Sequence, residues 1–213
     1  MVTRIIDGTK DHAEFLAWVA LAAARSHLPR GFWDFFIPEA RERTAYMARL
    51  AATTTPHPFH HSSFLVAEVD GRPAAALCGF FEEEHGFASL GPVMAEVDRA
   101  FGRPPEAAQE GMARLGPFMT VTPEHPRGAW IVENVATLPE FRRRGLVDQL
   151  MLAVLERGRA RGARLSDIGV FIGNDPAQCA YEKAGYLTAS EKRSAEMERT
   201  WGTPGIRVLR REL

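Results

Sequence analysis

The segment from Ala129 to Ala160 constrains the fold most, because an apolar strand pattern, an arginine-rich turn and a helical pattern follow one another directly. "AWIVENVATL" is rich in Val and Ile, which favours a strand. After "PEFRRRG", apolar residues recur at helical spacing at Leu146, Leu150, Val154 and Leu155. Such a segment places the unpaired N–H groups of a helix N-terminus at the end of a strand.

The turn between these two elements combines positive charge with a bare backbone. Gly145 has no Cβ, so ligand atoms can approach the main chain there. The helix dipole favours an anion at this end, and the run Arg142, Arg143 and Arg144 adds charge-assisted donors. The turn is a candidate phosphate site, and these residues alone leave open the alternative of a solvated arginine surface.

The rest of the chain indicates a mixed α/β sheet, since strands alternate with helices in the middle and strands occur at both ends. Strands are predicted at "TRII", in a hairpin over 64–69 and 74–81, at "ARLSDIGVFIG", and in the tail at "YLTASEKRSAEMER" and "GIRVLRREL". Helices are predicted after the first strand, from near Pro38, and over "NDPAQCAYEK" with a stop at Gly185. The aromatic run Phe32 to Phe36 is interpreted as a buried loop, with a ligand wall as the alternative.

Residues 1–213 are expected to form one domain with a helical insertion at about 82–128. The insertion contains two short helical patterns, about Val93 to Phe101 and Pro105 to Leu115, in a segment rich in turn residues. Neither pattern has enough apolar surface for a second core.

Composition excludes several classes of function. Lys and Arg total 26 against 27 Asp and Glu, so the chain lacks the broad basic field of nucleic-acid binders, despite "RRRG" and "RGRARGAR". No apolar run reaches membrane-spanning length, and two cysteines without CxxC spacing favour a reduced, cytoplasmic protein. The seven histidines are scattered, with His60 and His61 on opposite faces if they lie in a strand, so no metal site is predicted.

The segment "ENVATLPEFRRRGLVDQLM" resembles the acetyl-CoA-binding segment of the GNAT N-acetyltransferase superfamily, with its R/Q-x-x-G-x-G/A loop. Arg142, Gly145 and Val147 occupy the three motif positions, and Val147 departs from the usual Gly or Ala. "IGVFIGNDPAQCAYEKAGY" is similar to the next strand and helix of the family. The resemblance implies a central mixed, mostly antiparallel sheet flanked by helices and splayed between the fourth and fifth strands.

The resemblance also implies a site for acetyl-CoA as co-substrate. Strand backbone at Val135, Ala136 and Thr137 would hold the pantetheine arm, and Asn174 would reach that arm from the next strand. Tyr181 would donate a proton to the departing thiolate, and ordinary helix packing is its alternative role. The pyrophosphate would be bound by the arginines and main-chain N–H groups of Arg142, Arg143, Arg144, Gly145, Leu146, Val147 and Asp148.

Glu133 is the predicted general base, because an amine must lose a proton before it attacks a thioester. Strand alternation would place Glu133 on the same face as Ile131 and Val135, and a carboxylate in an apolar strand has no obvious packing role. A salt bridge to an arginine is the alternative.

These features predict an acyl-CoA-dependent N-acyltransferase in which acetyl passes directly from acetyl-CoA to a primary amine. The alternative is a non-catalytic acyl-CoA-binding or regulatory domain, and nucleic-acid binding is a weaker third reading. The sequence leaves open a homodimer and the acceptor, which could be a small amine, an antibiotic or a protein. A further hypothesis is that the insertion roofs the acceptor side and that Glu82, Glu83 and Glu84 attract a cationic amine; a structural cover or dimer surface is its alternative.

Overall fold

A computed structural model describes residues 2–213, and seven strands in this part of the chain form one sheet. The strands are β1 (Thr3–Asp7), β2 (Phe64–Val69), β3 (Arg72–Phe81), β4 (Trp130–Thr137), β5 (Leu165–Phe171), β6 (Leu187–Arg193) and β7 (Gly205–Glu212). Their order is β1-β2-β3-β4-β5-β7-β6. Only β4 and β5 are parallel, so the predicted mixed, mostly antiparallel sheet is confirmed.

Helices cover both faces of the sheet. They are α1 (Ala13–Arg25), α2 (Phe32–Phe36), α3 (Ala40–Ala51), α4 (Glu82–His85), α5 (Phe87–Ala100), α6 (Pro105–Arg114), α7 (Gly116–Met119), α8 (Leu146–Ala160), α9 (Asp175–Lys183) and α10 (Ala195–Trp201). On one face, α8 packs against β2, β3 and β4, and on the other α1 and α3 form a second buried layer. Within residues 2–213, no helix combines the length and the apolarity needed to cross a bilayer.

Three helices differ from the sequence predictions. The aromatic run forms the short helix α2 instead of a loop, and the next helix begins at Ala40, two residues beyond Pro38. The predicted tail strand ends at Arg193, and α10 follows it. Ser194 caps this helix by accepting a hydrogen bond from the Met197 backbone N–H at 3.3 Å, and Trp201 is buried at its end.

The insertion contains four helices, α4 to α7, where two were predicted. Its apolar residues complete a core that α1, α2 and α3 begin: Val93 and Val97 of α5 join the same buried cluster as Trp33 and Tyr46. Glu83 Oε1 accepts a hydrogen bond from the Gly128 backbone N–H at 2.7 Å, which ties the two ends of the insertion together. The insertion therefore lies on the N-terminal helices, as its lack of a separate core predicts.

Close contact between α8 and the sheet depends on a glycine in β3. A Cβ built on Gly79 would lie 2.6 Å from Val154 Cγ2 and 2.7 Å from the Trp130 ring. Both distances are far below van der Waals contact, so a side chain here would push α8 from the sheet or displace the Trp130 ring.

We expect Gly79→Ala to lower the free energy of unfolding by about 1–3 kcal/mol, because it overpacks a full core. Gly169→Ala in β5 is the matched control, since a Cβ there would meet Ile206 Cγ2 at an ordinary 3.7 Å. Urea unfolding followed by circular dichroism measures both. Equal stability of the two variants would contradict this account of the α8 contact.

Candidate functional site

Strands β4 and β5 pair over only three residues and then separate. The paired positions are Trp130 with Ser166, Ile131 with Asp167 and Val132 with Ile168. From Glu133 to Thr137, β4 is paired with β3 alone. The separation opens a cleft of about 630 Å³, a volume typical of small-molecule sites.

A β-bulge in β4 changes which face each side chain occupies. The register with β3 shifts between Ala76 and Cys78, and Asn134 has a φ of +54°. Glu133, opposite Cys78, lies on the same face as Ile131, whereas Val135 packs into the cluster on the opposite face. The prediction that Glu133 and Val135 share a face is therefore wrong, because the bulge adds one residue between them.

The turn from β4 to α8 has the backbone geometry of an anion site. Arg143 and Gly145 have φ values of +60° and +71°, and α8 begins at the next residue. Within residues 2–213, five backbone N–H groups of this turn find no acceptor: those of Arg143, Gly145, Leu146, Val147 and Asp148. Successive N–H groups in such a turn form a concave site for a negatively charged ligand.

Gly145 also satisfies a requirement that the sequence did not reveal. A Cβ at this position would meet nothing within 4 Å, so the space beside the backbone is open, as predicted. The left-handed φ is a second reason for glycine, because residues with a Cβ adopt it at a cost.

The side chains of the turn have different surroundings. Arg142, Arg143 and Val147 line the cleft, and Arg142 Nε donates to the Thr137 carbonyl at 3.3 Å. Arg144 Nη2 instead donates to the Glu140 carbonyl at 2.9 Å, outside the cleft lining.

Leu146 and Asp148 contribute only backbone groups to the turn, because their side chains have other contacts. The Leu146 side chain is buried in the core, and the Asp148 carboxylate pairs with Lys183 Nζ at 2.5 Å. The predicted charge in the cleft is therefore carried by two arginine side chains instead of three.

The other predicted cofactor residues line the same cleft. They are Val135, Ala136 and Thr137 of β4, and Asn174 at the N-terminus of α9. Asn174 Oδ1 caps α9 by accepting from the Ala177 backbone N–H at 3.3 Å, and Nδ2 donates to Ser26 Oγ at 2.5 Å. One N–H of this amide is left over for a ligand.

Tyr181 of α9 also lines the cleft and is 7% exposed. Burial raises the pKa of its phenol well above the ordinary value, with a smaller contribution from Tyr186. The group therefore stays protonated at neutral pH. Its ring packs in the core beside α8, so the packing alternative and the proton-donor role are compatible.

Glu133 is half-buried at the point where β4 and β5 separate. Burial raises the pKa of its carboxyl to about 7, while the charge of His125 acts to lower it and that of Glu82 to raise it. Within residues 2–213, no Lys or Arg forms an ion pair with Glu133, so the predicted salt-bridge alternative is wrong. A carboxyl with a pKa near neutrality is suited to proton transfer.

Sequence reasoning missed a chain of polar side chains around the buried Asp167, beside Glu133. Asp167 of β5 is fully buried and accepts two hydrogen bonds from Arg210, at 2.7 and 2.8 Å. Its Oδ2 also lies 3.0 Å from His125 Nδ1, which fixes the imidazole ring next to the cleft. Asp167 gave the same signal as Glu133, an acid within an apolar strand, but His125 gave none.

Aromatic rings form the wall of the cleft that faces the insertion. Phe87 and Phe118 of the insertion line it, together with Trp18 of α1, Phe32 of α2 and Phe171 of β5. The insertion therefore lines the cleft, as the roof hypothesis predicts, but the side chains that it contributes are apolar.

The three acidic residues of the roof hypothesis have partners outside the cleft lining. Glu82 Oε1 accepts from the Phe87 backbone N–H at 2.9 Å, Glu83 binds Gly128, and Glu84 pairs with Arg161. None of the three lines the cleft. The trio is used to fold the insertion onto the sheet.

The two adjacent histidines lie outside the sheet. His60 and His61 are in a tight turn before β2, and their rings are 4.0 Å apart. Among residues 2–213, no group of three or more His, Cys, Asp or Glu side chains is arranged to hold a metal ion.

Comparison with known proteins places this geometry in a family. Residues 26–186 match the model of the acetyltransferase (GNAT) family. No curated protein matches the chain in sequence.

Among solved structures, a protein described only as an acetyltransferase has a TM-score of 0.71 at 18% identity, covering 98% of both chains. An N-acetyltransferase from Staphylococcus aureus Mu50 has a TM-score of 0.67 at 15% identity, and the match covers 98% of this chain and all of the other. The PaiA N-acetyltransferase from Thermoplasma acidophilum, solved with coenzyme A, has a TM-score of 0.55 at 11% identity, and the match covers the whole of both chains. The chain belongs to the GNAT acetyltransferase family, and on that membership it is an N-acetyltransferase that uses acyl-CoA.

Proposed function

We propose that this protein transfers the acetyl group of acetyl-CoA directly to a primary amine. The observation that carries the proposal is the β4–α8 turn, whose five unpaired N–H groups adjoin the open edge of β4. A pyrophosphate can be bound by the N–H groups, and a peptide-like pantetheine arm can be bound by the strand edge. Arg142, Arg143 and Val147 of the turn line one cleft with the β4 edge, Glu133 and Tyr181.

In this proposal the cofactor extends from the turn toward the point where the strands separate. Arg142 and Arg143 neutralise phosphate charge, while the five unpaired backbone N–H groups of the turn bind its oxygens. The unpaired edge of Val135, Ala136 and Thr137 forms sheet-like hydrogen bonds with the arm. Asn174, at the N-terminus of α9, contributes its remaining N–H.

Glu133 and Tyr181 are the proposed catalytic residues. The Glu133 carboxylate takes a proton from the ammonium group, and the amine nitrogen then attacks the thioester carbonyl. As the C–S bond breaks, Tyr181 donates its phenolic proton to the thiolate, and the second nitrogen proton restores the phenol. His125, fixed by Asp167, is a positioning residue whose charge keeps more of Glu133 in the carboxylate form.

Two features support catalysis over a purely binding role. A simple acyl-CoA-binding domain has no need for a carboxyl tuned to neutrality, nor for a protonated phenol on the opposite side of the cleft. We also propose that residues 1–213 act as one domain with 82–128 as an insertion. The shared cluster between the insertion and α1 to α3 supports this assignment.

Gly145→Glu should weaken CoA binding by about 100-fold or more, because it places bulk and negative charge against the phosphates. Gly162→Glu is the matched control at the other end of α8, where the glycine also has a positive φ and open space beside it. Isothermal titration with CoA at two salt concentrations measures both, and wild-type affinity should fall with salt. Unchanged affinity in a folded Gly145→Glu protein would overturn the site assignment.

Tyr181→Phe should lower kcat by a factor of about 10 to 1000 and leave the Kd for CoA unchanged, because only the proton donor is lost. Tyr186→Phe is the control: it removes a buried hydrogen bond to Ser166 at 2.7 Å, so it should reduce stability and spare kcat. Turnover is measured with the fastest amine in a panel. Equal kcat for Tyr181→Phe and wild type, with chemistry limiting, would assign Tyr181 to packing.

The pH dependence of kcat/KM should have an acid limb near pH 7, because Glu133 is active only after it loses its proton. His125→Gln removes a positive charge that lowers this pKa, so the limb should move to higher pH. His12→Gln, remote from the cleft lining, should leave the limb in place. An identical limb in wild type, Glu133→Gln and His125→Gln would contradict the role of Glu133.

A further inference from the structure

The wall of the cleft opposite the α8 turn is apolar, and its rings come from four separate elements. Trp18 lies on α1, Phe32 on α2, Phe87 on α5 and Phe118 on α7. Phe87 is 47% exposed, an unusual degree for a large apolar side chain, and Phe118 is partly exposed. Exposed apolar rings gathered in a concave site indicate a ligand with apolar surface.

The charges in the cleft are few and unevenly placed. Among its lining residues in the described chain, Glu133 is the only carboxylate, and Arg142 and Arg143 belong to the turn. Asp34 lies on α2, the helix that carries Phe32, and its carboxylate is fully engaged. It accepts two hydrogen bonds from Arg25, at 2.8 Å each, and another from Arg43.

The wall is also held in place. Asp34 Oδ2 accepts from the Gly31 backbone N–H at 2.9 Å, which fixes the start of α2. The Phe32 and Phe118 rings meet edge to face at 5.3 Å, and Phe118 stacks on Trp201 at the same distance. An apolar wall fixed by buried ion pairs and ring contacts cannot easily turn a polar group toward a ligand.

We propose that the acceptor is a primary monoamine whose remaining atoms are apolar, with its amino group at Glu133 and its skeleton against the aromatic wall. This inference rests on the proposed function. Apolar atoms of the acceptor gain free energy by leaving water for these rings. A second cationic group would lose its hydration against the same wall and find no carboxylate in return.

The test compares two amines that differ by one charge. n-Hexylamine and 1,6-diaminohexane have the same carbon chain, and only the second carries a distal ammonium group. Titration of each into the protein saturated with CoA should give hexylamine a Kd at least about tenfold lower, given the cost of burying an unpaired cation. Thioester turnover with acetyl-CoA should show the same preference in kcat/KM.

A substitution in the wall should reverse the preference. Phe87→Glu places a carboxylate in the cleft, so it should weaken the binding of hexylamine and strengthen the binding of diaminohexane. Met112→Glu on α6 is the control, because Met112 is 46% exposed but lies outside the cleft lining. Met112→Glu should leave both Kd values within about twofold of wild type, because a larger change would correspond to the gain or loss of a contact with the ligand.

The outcomes separate this inference from the proposed function. Preferential binding of hexylamine without turnover would support the inference and contradict acetyl transfer. Equal or tighter binding of the diamine, faster turnover of the diamine, or no saturable binding of either amine would overturn the inference. Phe87→Glu behaving like Met112→Glu would overturn it as well.

Discussion

The early separation of β4 and β5 is the constraint on which the site depends. Two parallel strands that remained paired would bond their backbone groups to each other and leave no room between them. Here pairing stops at Val132 and Ile168, so the next five residues of β4 keep one edge unpaired. That edge, the cleft beside it and the position of Glu133 in the cleft lining are three consequences of the same event.

Helix α8 connects this opening to the core. Its N-terminus supplies the unpaired N–H groups, and its body is packed against β3 and β4 through Val154 and Trp130. Because Gly79 allows that close contact, the helix and strand form one rigid unit. The N–H groups are therefore held in place before any ligand arrives, which reduces the entropy that binding costs.

The two walls of the cleft come from different parts of the chain and have different chemistry. One wall, from β4, the α8 turn and α9, presents backbone donors and arginines. The other wall, from α1, α2 and the insertion, presents aromatic rings. The acid Glu133 stands between the two walls. The Arg210–Asp167–His125 chain, with Asp167 buried at its centre, lies beside this acid and contributes to the electrostatics there.

The sequence by itself determined the sheet, the strand–turn–helix segment and the position of its glycine, because these follow from local periodicity and from motif spacing within about 60 residues. It also identified Glu133 as an acid without a packing role. It did not determine which face Val135 occupies, because a bulge is decided by pairing with β3, a strand some 50 residues earlier. The aromatic wall, the partners of Glu82, Glu83 and Glu84, and the contact of His125 with Asp167 were likewise decided only by tertiary structure. Each joins residues far apart in the chain, and no periodicity within one segment records which distant side chain will meet it.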